Sequence, residues 1–149
     1  MTDRAAVLEM MEGCPVVYFA TVDGTEPRIR ALENLRRPDR YPELSGFCGE
    51  QGFTCYFTTS VASDKVRQLR ANPAAAAYFC DPAHVHSAMV TGKAEVLDDP
   101  ELRRRLWSDL WRIYWTGWDD PDYIVVRLTA EDVRGWWGTS AFALERSEL

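Results

Sequence analysis

The chain has 149 residues, 46% of them hydrophobic, and a formal net charge of -6. That length can bury a core without metal or disulfide staples. The acidic balance, with no basic tract, excludes wrapping of a nucleic-acid backbone. No apolar run reaches the roughly 18 residues of a membrane span, and Asp3, Arg4 and Glu9 spoil a signal-peptide pattern near the start. A cytoplasmic protein with no membrane partner is the expectation, folded as one domain over residues 1–149.

Ala5 to Met11 carries apolar residues at helical spacing and reads as a short N-terminal helix. Val16 to Val22 is β-branched and aromatic, Asp23-Gly24 reads as a turn, and Pro27 to Leu32 is a second strand, so the two predict a hairpin. The intervening residues exceed an ideal two-residue turn, which leaves the register open. Glu33 to Gly52 is polar and rich in Pro and Gly; it reads as a loop with one helical turn near Pro42-Glu43-Leu44. Phe53 to Thr59 is a third strand. Ser63 is placed to cap a helix over Asp64 to Arg70, which Asn72-Pro73 closes.

Ala74 to Cys80 is a fourth strand whose four successive alanines favour close approach of a neighbour. Ser87 to Leu97 alternates as a fifth, and Gly92 at its middle predicts a bulge, bend or close backbone contact. The strongest helical pattern is Glu101 to Tyr114, started by Pro100, with Leu102, Leu106, Leu110 and Ile113 on one stripe widened by Trp107, Trp111 and Tyr114. Gly117 to Pro121 is turn-rich, Tyr123 to Leu128 is a sixth strand, and Asp132 to Gly138 is a final strand before a weakly determined C-terminal extension. Strands outnumber helices without regular alternation, so the fold class is mainly β with helices: an antiparallel barrel.

The chemistry concentrates where the third strand hands over to a helix. Thr58, Thr59, Ser63 and Lys65 put hydroxyls and an ammonium at a helix start, a setting that suits a phosphate. Arg28 and Arg30 lie two apart on a strand and share a face; they serve either ordinary surface ion pairs or a bound anion. The stretch around Lys65 also fits a plain helix cap followed by a surface lysine. Neither GxxxxGK[ST] nor GxGxxG is present, and no GxSxG elbow is found. The four cysteines, Cys14, Cys48, Cys55 and Cys80, form no CxxC pair and read as free thiols. His84 and His86 alone make an incomplete metal site. Of the six tryptophans, Trp107 and Trp111 are expected to pack a helix on the sheet. Trp115 and Trp118 are expected to cover a flat ligand or a subunit interface, and Trp136 and Trp137 to point to opposite sides of a strand.

In order and spacing, Phe19-Ala20-Thr21-Val22-Asp23-Gly24, Pro27-Arg28-Ile29-Arg30, Phe57-Thr58-Thr59, Ser63-Asp64-Lys65-Val66, Asn72-Pro73, Val90-Thr91-Gly92-Lys93 and Trp136 with Gly138 resemble one family. It is the pyridoxamine 5'-phosphate oxidase-like, FMN-binding split-barrel family, in its general-stress-protein branch. The resemblance implies a six-stranded Greek-key split barrel and a homodimer with FMN at the subunit interface. It implies flavin-dependent oxidoreductase chemistry on a small substrate, with a nicotinamide or other small electron donor. It assigns the phosphate to Arg30, Lys65 and Ser63, the ring lining to backbone at Ala31 and Leu32, and the strand-end hydroxyls to Thr58 and Thr59. Ser87 falls near a cofactor-reaching glutamine, and Trp136 matches an aromatic near the flavin. Asp64 stands where oxidases often carry arginine, and Thr139, Ser140, Ala141 and Phe142 stand where they carry substrate-binding arginine and histidine. Oxidation of pyridoxamine phosphate itself is therefore not expected. A non-catalytic flavin-binding stress protein and a deazaflavin F420- or haem-binding split barrel are the alternatives.

Overall fold

The computed structural model describes residues 2–149. One antiparallel sheet dominates it: β1 (Val16–Asp23), β2 (Glu26–Glu33), β3 (Cys55–Ser60), β4 (Ala74–Asp81), β5 (His86–Leu97), β6 (Tyr123–Trp137) and β7 (Ser140–Ala143). The strand order is β2-β1-β4-β5-β6-β3, with β7 pairing β6 off that path. The mainly-β class with helices is as expected, but seven strands form rather than six. The seventh lies in the extension that sequence patterning left undetermined. The sheet is open, with β2 and β3 as its ends.

The hairpin register is simpler than the sequence suggested. Asp23 pairs Glu26, so the turn is just Gly24-Thr25. Gly24 sits at φ 63, a conformation glycine adopts without strain and two-residue hairpin turns require. Glu33 to Gly52 is not mainly loop either: α2 (Pro42–Glu50) is a nine-residue helix with Pro at its start. Its buried Leu44 and Cys48, four apart, supply the stripe that its glycines and polar residues obscured.

β6 runs 15 residues without a break, where the sequence predicted two strands. Between them Glu131 is an extra residue, since Thr91 pairs Asp132 while Gly92 pairs Ala130. The expectation at Gly92 holds: a Cβ there would lie 1.9 Å from the Thr129 carbonyl oxygen.

The inner face of the sheet, with Val17, Phe19, Phe57, Phe79, Val90, Val126 and Leu128, encloses the main core. It is closed by Val7 and Met11 of α1 (Arg4–Gly13) and by Leu69 of α3 (Asp64–Ala71). A second core lies outside β3 and β6, where Tyr56, Tyr123 and Val125 meet Tyr41, Leu44, Leu106, Trp111 and Trp115. Residues 123–126 are therefore buried on both faces of the strand, which explains their unbroken apolar run.

The predicted helix 101–114 is broken. α4 (Pro100–Arg105) stops after six residues, and Ser108 caps a separate 3-10 turn, Asp109–Ile113. One straight helix would turn Leu110 and Ile113 inward. Here they are exposed, and the turn instead seats Trp111 and Trp115 in the second core, Trp111 Nε1 donating to the Leu106 carbonyl at 3.0 Å. Burial of two indoles outweighs the lost helical bonds.

Candidate functional site

A cavity of about 350 Å3 lies between the two free ends of the sheet. Its walls are Ala31, Leu32 and Glu33 of β2, Phe57 to Ser60 of β3, Lys65 of α3, and Val16, Leu35, Trp111, Tyr114 and Trp115. Both end strands line one space, so the sheet wraps far enough to bring its ends face to face without joining them. The volume falls in the roughly 300–1,000 Å3 range of small-molecule sites.

Lys65 stands in the wall at one end, and the Arg30 charge lies near it. Arg30 faces the inner side of β2 and donates to Thr21 Oγ1 at 2.7 Å, to Gln68 Oε1 at 2.9 Å and to the Phe19 carbonyl at 3.3 Å. Gln68 also accepts from the Thr21 hydroxyl at 2.6 Å, so one buried amide oxygen orients both groups. Lys65 donates to Thr59 Oγ1 at 2.8 Å, and Ser63 Oγ lies 3.5 Å from that same oxygen. Ser63 stands at the N-cap position but makes no side-chain cap bond. The expected cap is not made, and its hydroxyl faces the cation site instead. The first-turn amides of α3 are left without a side-chain acceptor.

Burial holds Lys65 below the usual lysine range, and the nearby Arg30 guanidinium pushes it further down; Asp64 opposes both. Burial likewise lowers Arg30, again against Asp64. Each group is thus charged at a cost that a bound anion would offset. Asp64 does little to neutralise them. Its exposed carboxylate lies 3.7 Å from Arg67, where water screens it.

The structure places Ala31, Leu32, Thr58, Thr59 and Lys65 in one cavity wall, with Ser63 beside Thr59 and with Arg30 outside the lining, held by Thr21 and Gln68. It does not bring Arg28 to them. Arg28 shares Arg30's face but lies out at the hairpin end, 3.5 Å from Asp23. Ser87 and Trp136 are elsewhere too, paired across β5 and β6, with Trp136 N donating to Ser87 Oγ at 3.3 Å. The Trp136 indole is exposed and donates to the Gly138 carbonyl at 2.6 Å, while Trp137 turns the other way to stack on His86.

Sequence reasoning pointed to Trp115, which does line the cavity, but missed Gln68 and the other two aromatic wall residues, Trp111 and Tyr114. Gln68 left a signal, a polar residue beside the inward Val66 and Leu69 of a short helix. The apolar spacing places Trp111 and Tyr114 on the face of a continuous helix, and only the break at Trp107-Ser108 brings them to the cavity.

The sequence profile described as pyridoxamine 5'-phosphate oxidase matches residues 4–137. General stress protein 26 of Bacillus subtilis (strain 168) is 29% identical over 134 residues, covering 88% of this chain and 86% of that protein. A structure from Clostridium acetobutylicum, described as related to general stress protein 26 in the pyridoxinephosphate oxidase family, superposes with a TM-score of 0.77 at 24% identity over 99% of each chain. A structure described as a heme binding protein from Mycobacterium smegmatis superposes with a TM-score of 0.68 at 17% identity, over 99% of this chain and 60% of that one. The profile match spans the cavity, both its strands and the lysine-bearing helix, and on it this chain belongs to the pyridoxamine 5'-phosphate oxidase family.

Proposed function

We propose that the protein is an FMN-dependent oxidoreductase acting on a small substrate. The observation that carries this reading is Lys65 in the cavity wall, bonded to Thr59 beside Ser63 at the start of α3, with the Arg30 charge near enough to oppose its own. Two partly buried cations with lowered pKa beside free helix amides and hydroxyls suit a phosphate monoester. The rest of the cavity is lined by Val16, Leu32, Leu35, Phe57 and the aromatic residues Trp111, Tyr114 and Trp115, with Glu33, Thr58 and Ser60 as its polar positions. FMN supplies the hydride- or electron-carrying chemistry when bound. The chain's part is to hold the phosphate, border the ring with the Ala31–Leu32 edge and exclude water. No side chain is required as a nucleophile.

The reading includes a homodimer. Ile29, Tyr18 and Tyr78 are 70%, 42% and 37% exposed on the outer face of β2, β1 and β4, and Tyr78 pairs Met89 on β5. An apolar strip across four strands suits a second copy of the chain. Ser87 and Trp136 lie on this same outer face. Pyridoxamine phosphate is not the expected substrate, since Thr139–Phe142 offer no cationic side chain. A nicotinamide is the first electron donor to try.

The test is the absorption spectrum of the purified protein with mass identification of any released ligand, followed by FMN titration of the apoprotein. A flavin spectrum or saturable FMN binding is expected. Folded protein that takes up no FMN refutes the assignment. FMN held firmly but never reduced by nicotinamide donors would favour a non-catalytic flavin-binding stress protein.

A second reading is haem, prompted by the heme binding neighbour and by a separate cavity of about 620 Å3 at the β4–β5 turn. His84, His86 and Met10 line it, with His86 stacked on Trp137 at 3.7 Å between ring centroids. A Soret band lost on His84→Ala or His86→Ala would favour haem over flavin.

A further inference from the structure

Between Trp107 and Trp118 five of twelve residues are aromatic, and three of them, Trp111, Tyr114 and Trp115, line the cavity that also holds Lys65. The cavity is thus polar at the Lys65–Thr59 end and aromatic along the wall that residues 111–115 supply. We propose that Tyr114, backed by Trp111 and Trp115, closes over the planar part of the ligand, so that this chain holds a flavin ring with an aromatic wall of its own. The inference rests on the flavin reading of the cavity and adds to it the residue that covers the ring.

Tyr114 combines exposure with fixity. It is 68% exposed although it lines a cavity, so most of its ring has no protein partner. Its backbone is not free to wander, because Tyr114 N donates to the Trp111 carbonyl at 2.8 Å and Trp115 N to the same oxygen at 3.0 Å. The supports behind it are buried. Trp111 packs on Tyr41 with centroids 5.3 Å apart, Trp115 packs on Tyr123 at 5.1 Å, and Tyr114 meets Trp115 at 5.4 Å. A mostly uncovered aromatic ring on a fixed backbone at a cavity rim gains area and stacking when a flat ligand enters. Its neighbour Trp115 adds a polar mark, since its Nε1–H is buried without an acceptor among the described residues. An unsatisfied donor in the same wall is a site where the protein alone has not completed its hydrogen bonding. The break in the predicted 101–114 helix acquires a use on this view: a straight helix would not set Trp111 and Trp115 behind Tyr114 at the cavity.

The test compares Tyr114→Ala with Lys65→Ala, each titrated with FMN and with riboflavin, alongside thermal melts and sedimentation. Tyr114 is exposed enough for its alanine variant to fold. Loss of a ring contact should raise the dissociation constant of both flavins by about threefold to tenfold, the range of one aromatic stacking pair. Lys65→Ala should weaken FMN and leave riboflavin unchanged. Emission from bound FMN should rise in Tyr114→Ala, because contact with an electron-rich ring quenches flavin fluorescence. The proposal is overturned if the alanine variant binds FMN as the wild type does. It is also overturned if the variant loses FMN but not riboflavin, or if its one effect is to split a dimer. Wild-type protein that binds no FMN fails earlier and separately, by removing the flavin reading itself.

Discussion

Lys65→Met separates what this cavity does for binding from what it does for folding. The substitution keeps an unbranched stem and removes the ammonium. In the ligand-free protein that ammonium donates to Thr59 Oγ1 at 2.8 Å, a bond worth about 0.5–1.5 kcal/mol net. Against this stand its partial burial and its repulsion by Arg30, both of which lower its pKa. The two sides oppose each other, and solvent screens both, so stability should change by no more than about 1 kcal/mol in either direction. That is a shift of a few degrees in melting temperature. The bound state differs: there the ammonium meets a phosphate, and losing a charge-assisted bond costs about 1.5–3 kcal/mol. FMN should bind roughly 10- to 150-fold more weakly. Titration by flavin fluorescence and a thermal melt of the same apoprotein measure both quantities. A large drop in melting temperature with unchanged FMN affinity would refute the reasoning, because it would make Lys65 a structural cation with no part in the site.

The same lysine predicts a pH dependence. Its pKa is lowered in the free protein and a phosphate would raise it, so the complex holds more protons, and FMN affinity should fall as pH rises through the free-state value; Lys65→Met should flatten that alkaline limb. In the unliganded protein the lowered pKa means that the unfolded chain binds more protons at alkaline pH, so Lys65 itself should add stability as pH climbs toward 10.5, measured as the wild-type minus Lys65→Met difference in urea midpoint. Gly92→Ala forces a Cβ to 1.9 Å from the Thr129 carbonyl oxygen in the middle of the β5–β6 ladder. It should cost about 3 kcal/mol or more, and a melting temperature within a degree or two of wild type would contradict the geometry. Ile29→Glu puts a charge on the exposed strip of the outer sheet face. Sedimentation should show a monomer and FMN affinity should fall with it, whereas a dimer of unchanged affinity would place the subunit contact on another face.

Local patterns carried the strands well because alternation reports which face is buried, and most of this sheet has one buried face. They carried the phosphate end of the site for a similar reason. Thr59 lies at the strand's end, Ser63 stands at the N-cap and Lys65 lies in the first turn of the helix, so their proximity is written in their spacing. Arg30 is far away in sequence, yet β2 pairs β1 in a tight hairpin and Thr21 hands it to Gln68, so one hairpin and one helix suffice to place it. The region 100–118 was not legible. Its apolar stripe is a good helical stripe, and nothing local says that Tyr41, Tyr123 and Leu106 will claim Trp111 and Trp115. α2 was hidden for the opposite reason, since Gly46 and Gly49 lower helix propensity and only packing against the second core restores it. Arg28 shows where spacing misleads: it has the same parity as Arg30, but two residues farther along the hairpin Asp23 replaces any ligand as its partner.

The open seam and the cation Lys65 set requirements that a ligand of the proposed kind meets together. β2 pairs with β1 alone and β3 with β6 alone, so each leaves one edge of backbone donors and acceptors unmatched on the side that faces the cavity. Such edges are normally closed, covered or charged, because they invite pairing with other chains. Here both strands line a cavity that also holds Lys65, Glu33 and the aromatic residues Trp111, Tyr114 and Trp115. A third strand could satisfy the edges but would leave Lys65 without an anion. A simple anion could satisfy Lys65 but would leave the edges and the aromatic wall idle. A phosphate monoester joined to a flat ring with hydrogen-bonding groups along its rim meets all three needs at once, which is the chemistry that the proposed FMN reading requires and that the FMN and riboflavin titrations test.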